Sequence, residues 1–529
     1  MRYILLSIFL FLLSGSFAQT KYWFFFTDKN TENSRPALSP DAIESRLRQQ
    51  IFLDPKDFPV NVAYLAQIRE KGISIVHTSR WLNAASAYLT PTQVADIQAL
   101  PFIQSLQKVR SLTPTQQENF SEIDSINVDS YRWQLEMIGT AQLHDRGYTG
   151  RGVKIAVMDD GFRRLDTLSS LRHLFTENTL LASHDFVDND NFVFTYDSAN
   201  SCRHGTWVMS ILAGKITDTL EGSAPDATYI LSRTEKDATE TPQEEDNWVA
   251  AAEWADSLGA QVFSTSLGYT TYNNPQDSYK PSDMDGNTAI ITKAADIAAS
   301  RGIIVVNSAG NEGNTVSWRI MGAPADGDSV IAVGAVDKNK VRASFSSMGP
   351  SADGRIKPDV MAIGNGTRLQ NQNGSVGGGS GTSFSGPVIG GSMACLRQMH
   401  PNAPANELRL ALLKSCDRYA TPDSLYGYGI PNLQVAAYLV NSSFAGINII
   451  PNPSDGNFLW IMETQLLIPN LQWEIFDATG RSLHTETLNV RNPIVSQNVS
   501  LSLASGVYYL RVLDIDKKQV LNVASFVVK

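Results

Sequence analysis

Apolar positions along this chain follow two periods, and the period changes where the architecture should change. Between residues 131 and 442, continuous apolar runs alternate with helical spacing. Residues 153–158, 229–231, 260–263, 303–306 and 330–336 read as buried strands. Residues 248–258 and 288–301 read as helices between them. Apolar, β-branched runs separated by helices predict a parallel sheet covered on both faces. Sites in such sheets form at the carboxyl ends of the strands, where Asp159 and Asn311 fall.

The flanks read differently. Residues 19–110 predict a small α+β unit. Its strands are 22–26, 73–76 and 84–90. Its helices are one capped by Ser39-Pro40-Asp41, one over 60–71, and one over 91–100 that starts with Pro91. Residues 111–130 are polar and aperiodic and read as a linker. Residues 444–529 lose helical spacing. Short alternating strands at 471–476, 507–512 and 524–528, with turns at 477–480 and 505–506, predict a small β-sandwich.

The first eighteen residues read as a secretory signal. Arg2 supplies the charge, 4–13 the apolar run, and Ser16-Phe17-Ala18 the cleavage region. The apolar run is shorter than the ~20 residues that a span needs, and no other stretch reaches that length. The reading is an exported protein with no integral membrane segment after signal removal. A net charge of −10, from 53 acidic against 43 basic residues, disfavours nucleic acid as a partner. Three cysteines, Cys202, Cys395 and Cys416, leave at least one unpaired. Stability should therefore rest on core burial, with buried thiols rather than a Cys395–Cys416 bridge.

Four motifs carry the candidate chemistry. They are Val157-Met158-Asp159-Asp160-Gly161, His204-Gly205-Thr206, Asn307-Ser308-Ala309-Gly310-Asn311 and Gly381-Thr382-Ser383-Phe384-Ser385-Gly386-Pro387. Each alone has a bland reading: a turn Asp, a structural His, a Gly-Asn turn, a helix cap. Together they supply a carboxylate, an imidazole, an amide and a hydroxyl. That set can activate a serine and stabilise the oxyanion that its attack creates. The order Asp, His, Ser is one of three known for such triads.

Residues 131–442 resemble the subtilisin-like serine proteases. The four motifs carry the resemblance, with Gly147–Val153, Gly222-Ser223-Ala224-Pro225, Ser266-Leu267-Gly268, Ala343–Ser347 and Lys357-Pro358-Asp359-Val360. The resemblance implies a triad of Asp159, His204 and Ser383, with Asn311 donating to the oxyanion. It implies substrate contacts at Ser266, Leu267 and Gly268, an S1 wall of Ser308, Ala309 and Gly310, and Gly322 at the pocket base, open to a large apolar P1 side chain. No cofactor is required for the chemistry. A structural calcium is compatible with the family, and 185–191 offers oxygen ligands or is an ordinary polar loop. The chain departs from the family at Asp160, at Trp207 where a second His is usual, and at Phe384-Ser385-Gly386 where Met-Ala-Ser is common. Asp160 would place a second carboxylate beside the site.

Residues 20–110 resemble the propeptides of exported bacterial subtilases. Residues 444–529 resemble the type A sorting domain of the type IX secretion system, through Ile450–Gly456, Ile475–Gly480 and Leu503–Tyr509. The expected protein is a secreted or cell-surface endopeptidase. It would cross the inner membrane by its signal peptide, then meet the type IX machinery and its protein or peptide substrates. The rival from another class is a binding protein on a protease scaffold. An esterase of the Gly-x-Ser-x-Gly type and a His-Glu-x-x-His zinc protease both fail, because neither motif occurs.

Overall fold

The computed structural model describes residues 19–29, 31–32, 34–109, 119–121, 130–195, 202–235, 244–270, 278–440, 446–464, 468–490 and 492–529. The 1–18 signal, most of the 111–130 linker and the 442–444 boundary lie outside the described residues. The chain divides into two compact units. One comprises residues up to Pro36 and Pro55–Val109. The other comprises Ala37–Asp54 and Arg110–Lys529.

The first unit is an antiparallel four-stranded sheet in the order Ile75–Ser79, Ala84–Leu89, Thr20–Phe26, Ile103–Lys108. The last strand was not legible in the sequence. Helices Val62–Glu70 and Pro91–Gln98 cover one face, where Leu65, Ile68 and Ile97 pack on Phe24, Phe26, Ala85, Ala87 and Leu89. The alternation of Phe24 and Phe26 across the pleat puts both rings in that layer.

In the second unit, seven parallel strands form the expected sheet. Their order is Val360–Ile363, Ile331–Val336, Ile304–Ser308, Val262–Thr265, Lys154–Asp159, Thr228–Arg233, Leu180–Asp185. Helices His204–Ala213 and Thr382–Met399 pack together, as do Glu244–Ser257 and Ile290–Ser300, and the two pairs flank the sheet. Central strand residues Ile155, Val157, Val262, Val306 and Val333 are buried in one core with the Thr382–Met399 helix. All three cysteines are buried and outside any disulfide.

After residue 446 the second unit is all β. A three-stranded sheet (Asn448–Ile450, Asn457–Glu463, Ile494–Ser500) and a four-stranded one (Ser482–Asn489, Asn470–Asp477, Gly506–Asp514, Gln519–Val528) share a core of Phe458, Trp460, Trp473, Leu510 and Phe526. Among the described residues no helix is long and apolar enough to cross a membrane.

Candidate active site

Asp159 ends the inner strand Lys154–Asp159 and is fully buried. His204 opens the helix His204–Ala213, whose own cap residue Arg203 makes no side-chain cap bond. Asp160 takes that role. Its carboxylate accepts from His204 N at 3.3 Å and Gly205 N at 3.1 Å. A carboxylate suits the positive end of a helix dipole. The second carboxylate expected beside the site is thus directed at the helix start. Gly205 allows the helix to descend onto Asp159: a Cβ there would lie 2.4 Å from Gly161 O and 3.0 Å from Asp159 Cβ.

The result is a short contact between His204 Nδ1 and Asp159 Oδ1, 2.6 Å. Asp160 N donates to the same oxygen at 2.9 Å. Because a carboxylate accepts, Nδ1 carries the proton, and Nε2 is left with its lone pair. His204 keeps 17 % side-chain exposure, so the ring is held on one side and accessible on the other. Its rim is aromatic, with the Phe384 ring 6.0 Å and the Trp207 ring 6.5 Å away between centroids.

Ser383 is the second residue of the helix Thr382–Met399 and is 5 % exposed. Its hydroxyl donates to Ser266 O at 3.2 Å, and Ser266 Oγ donates to Ser383 O at 2.9 Å. Asn311 lies after the strand Ile304–Ser308. Its Oδ1 accepts from both Thr382 N at 2.9 Å and Thr382 Oγ1 at 3.0 Å. Two donors on one atom fix the amide orientation, with Oδ1 as the acceptor and Nδ2 as the donor end.

Ser266, Leu267 and Gly268 follow the strand Val262–Thr265. Gly268 meets nothing within 4 Å of a built Cβ. Ser308, Ala309 and Gly310 end the neighbouring strand. Asn307 ties the two together, donating from Nδ2 to Leu267 O at 2.9 Å and Ser308 O at 2.8 Å. A Cβ on Gly310 would come 3.8 Å from Gly322 N, and one on Gly322 would come 2.9 Å from Tyr269 O. The three segments therefore lie side by side. The close approach to Tyr269 also accounts for glycine at 322 by packing alone. Thr382 and Asn307 stand inside the sequence motifs without an assigned role there. A Thr directly before a helix-opening Ser, and an Asn at a buried strand end, were the available signals.

The 185–191 run does not suit a cation. Asp185 Oδ2 and Asp188 Oδ2 each lie 2.7 Å from Arg233 Nη1, and Asp185 Oδ1 accepts from Val187 N and Asp188 N. A guanidinium already holds those oxygens. Among the described residues, Asp159, Asp160 and His204 are a further cluster of metal-type ligands, and their mutual hydrogen bonds and helix cap account for them.

A carboxylate-held imidazole, a serine at a helix start and a fixed amide, all at one edge of a parallel sheet, define a serine peptidase. The chain belongs to the subtilase family, whose model matches residues 150–429. A Bacteroidota S8 propeptide model matches 21–123, and a secretion-system C-terminal sorting domain matches 448–527. Subtilisin NAT of Bacillus subtilis subsp. natto is 30% identical over 372 residues, 70% of this chain and 84% of that protein. A subtilisin of Bacillus pumilus is 32% identical over 310 residues, 58% of this chain and 99% of that protein. The crystal structure of an epidermin leader peptide processing serine protease from Staphylococcus aureus shares the fold. Its TM-score is 0.55 at 17% identity, covering 80% of this chain and 100% of that one. The protein is a subtilisin-like serine protease that acts on protein substrates, and its sorting domain directs it to secretion or the cell surface.

Proposed function

We propose that Ser383 is the nucleophile, His204 the general base and then acid, and Asp159 the carboxylate that fixes the imidazole and stabilises its cation. Asn311 Nδ2 and the Ser383 backbone N–H are the oxyanion donors. The observation that carries this reading is the 2.6 Å Asp159–His204 contact at the same sheet edge as the Asn311 amide, which Thr382 fastens beside Ser383. The Ser383 proton passes to Nε2 as Oγ attacks the scissile carbonyl. The proton then leaves with the amine, and water repeats the sequence on the acyl-enzyme. Ser266–Gly268 is the segment that pairs with substrate backbone, and Ser308–Gly310 with Gly322 line a pocket for a large apolar P1 side chain. A peptide library showing strict Arg, Lys or Glu at P1 overturns the specificity assignment.

The N-terminal region is a propeptide removed by the enzyme itself. The strand Asn119–Ser121 supports this. It pairs antiparallel with Val376–Ser380, placing Asn119 opposite Ser380, three residues before the nucleophile. That register suits the leaving-group side of a substrate, with the cut on the N-terminal side of Asn119. The signal peptide brings the precursor across the inner membrane, and the type IX machinery takes it across the outer one.

The test compares the purified precursor with its Ser383→Ala form by intact mass and casein hydrolysis. The wild type should shorten to a new N-terminus just before Asn119 and cleave casein, and the mutant should do neither. Equal shortening of both forms would assign maturation to another enzyme. No casein hydrolysis from the shortened wild type would return the binding-protein reading.

A further inference from the structure

Arg233 stands in register between two acids. It ends the strand Thr228–Arg233, which pairs with Lys154–Asp159 on one side and with Leu180–Asp185 on the other. The first pairing sets Arg233 opposite Asp159, and the second sets it opposite Asp185. Its side chain is 9 % exposed. Nη1 donates to Asp185 Oδ2 and to Asp188 Oδ2, each at 2.7 Å. Nε donates to Asp160 O at 3.1 Å.

The acidic side of this fork is held by its own backbone. Asp185 Oδ1 accepts from Val187 N at 2.8 Å and from Asp188 N at 2.9 Å. Asp185 and Asp190 exchange backbone hydrogen bonds at 2.7 and 3.2 Å, and Phe186 N donates to Arg233 O at 2.9 Å. A guanidinium is planar and its donors keep a fixed geometry. Carboxylates that grip Nη1 therefore also set the direction of Nε.

The other side leads to the imidazole. Asp160 N donates to Asp159 Oδ1, the oxygen that contacts His204 Nδ1. The Asp160 carboxylate caps the helix that His204 opens. Asp160 thus touches both members of the Asp159–His204 pair, and Arg233 grips its carbonyl. The ion pairs with Asp185 and Asp188 use Nη1. Nε is the atom turned to the site.

We infer that Arg233 is a positioning residue for the general base: it holds Asp160 so that the Asp159–His204 contact keeps its geometry. The inference rests on the triad reading above. Two substitutions of Arg233 test it. Arg233→Lys keeps a cation beside Asp185 and Asp188 but loses the Nε–H. Arg233→Met with Asp185→Asn and Asp188→Asn removes the charges together, so no buried charge is left alone. Melting curves establish that each form is folded, and a serine-directed fluorophosphonate counts active sites. Both forms are expected to lose about ten- to a hundredfold in kcat on a peptide substrate, with KM within about twofold. Asp160→Ala should lose a similar factor, and adding Arg233→Lys to it should cost less than about twofold more. A second readout needs no turnover. The proton on His204 Nδ1, shared with Asp159, should lie far downfield in the proton NMR spectrum of the Ser383→Ala chain and move upfield when either Arg233 change is added. Unchanged kcat in either folded form overturns the inference. So does full additivity with Asp160→Ala, or a proton signal that does not move. Casein hydrolysis that survives Ser383→Ala would strike the triad reading, and the proton signal would still decide whether Arg233 sets the Asp159–His204 contact.

Discussion

Ser266 and Ser383 exchange two hydrogen bonds: each hydroxyl donates to the other residue's carbonyl, at 2.9 and 3.2 Å. The cause lies four residues beyond Ser383. Within a helix, Ser383 O would accept from the N–H of residue 387, and Pro387 has none. Ser266 Oγ supplies the missing donor and ties the Ser266–Gly268 segment to Ser383. Ser266→Ala should leave a buried carbonyl unsatisfied and destabilise the fold by about 1–3 kcal/mol. Pro387→Ala in that background restores an N–H and should recover part of the loss. Thermal melts of inhibitor-blocked enzyme, arranged as a double-mutant cycle, measure the coupling. Strictly additive losses would reject the link.

Asn311 and Thr382 form the second linked pair. Asn311→Ala should lower kcat by about 10²–10³, the loss when such a donor is removed from a subtilisin, with KM little changed. Thr382→Val keeps the backbone N–H on Asn311 Oδ1 but deletes the hydroxyl that holds both that oxygen and Gly310 N at 3.1 Å. A looser amide should cost roughly tenfold in kcat, since a small misplacement at the reacting centre is expensive. In the Asn311→Ala background Thr382→Val should add almost nothing. Full additivity of the two substitutions in steady-state kinetics would show that Thr382 acts elsewhere.

The sheet was legible because strands buried on both faces are written as unbroken apolar runs, as in Ile155–Met158 and Ile304–Val306. The chemistry was legible because Asp159, His204 and Ser383 sit at strand ends and helix starts inside short motifs. Other features depend on partners far along the chain. The strand Asn119–Ser121 is three residues long and owes its existence to the edge of Val376–Ser380, so the surrounding stretch read only as linker. The helix after Ser39 was visible from its cap, but its allegiance rests on Arg46 and Asp256, 210 residues apart. The 185–191 run read either as oxygen ligands or as a polar loop because Arg233, the partner of Asp185 and Asp188, is remote in sequence.

Phe384 follows Ser383, the proposed nucleophile, and is fully buried between His204 and Trp207. A methionine at this position would be an oxidisable sulfur beside the reacting hydroxyl, and phenylalanine removes it. The enzyme should keep most of its activity in hydrogen peroxide at concentrations that inactivate Phe384→Met. Residual casein hydrolysis after timed exposure is the readout. Rapid loss in the wild type would place the sensitive group elsewhere.

A pH effect should arise from Asp296, on the helix Ile290–Ser300. Burial, with Asp328 as a neighbouring acid, raises its carboxyl to about 7. Asp328's own carboxyl is lowered against its burial, first by hydrogen bonds with Ser329 and Asp296 and then by the charges of Arg355 and Arg409. The folded value of Asp296 lies above its ordinary value of 3.8, so the native state favours the protonated acid. Its stabilising contribution is complete below about pH 4 and is lost as pH rises through 7. Asn at this position keeps an oxygen for Ser329 N, now 3.0 Å from Asp296 Oδ1, and cannot ionise. Any packing cost of Asp296→Asn is the same at every pH, so the gap between the two melting curves isolates the titration. From pH 4 to about pH 7 the variant should gain steadily on the wild type, by roughly 4 kcal/mol at most for a carboxyl moved from 3.8 to about 7, and level off above that. Parallel curves across that range would mean that Asp296 is ionised throughout.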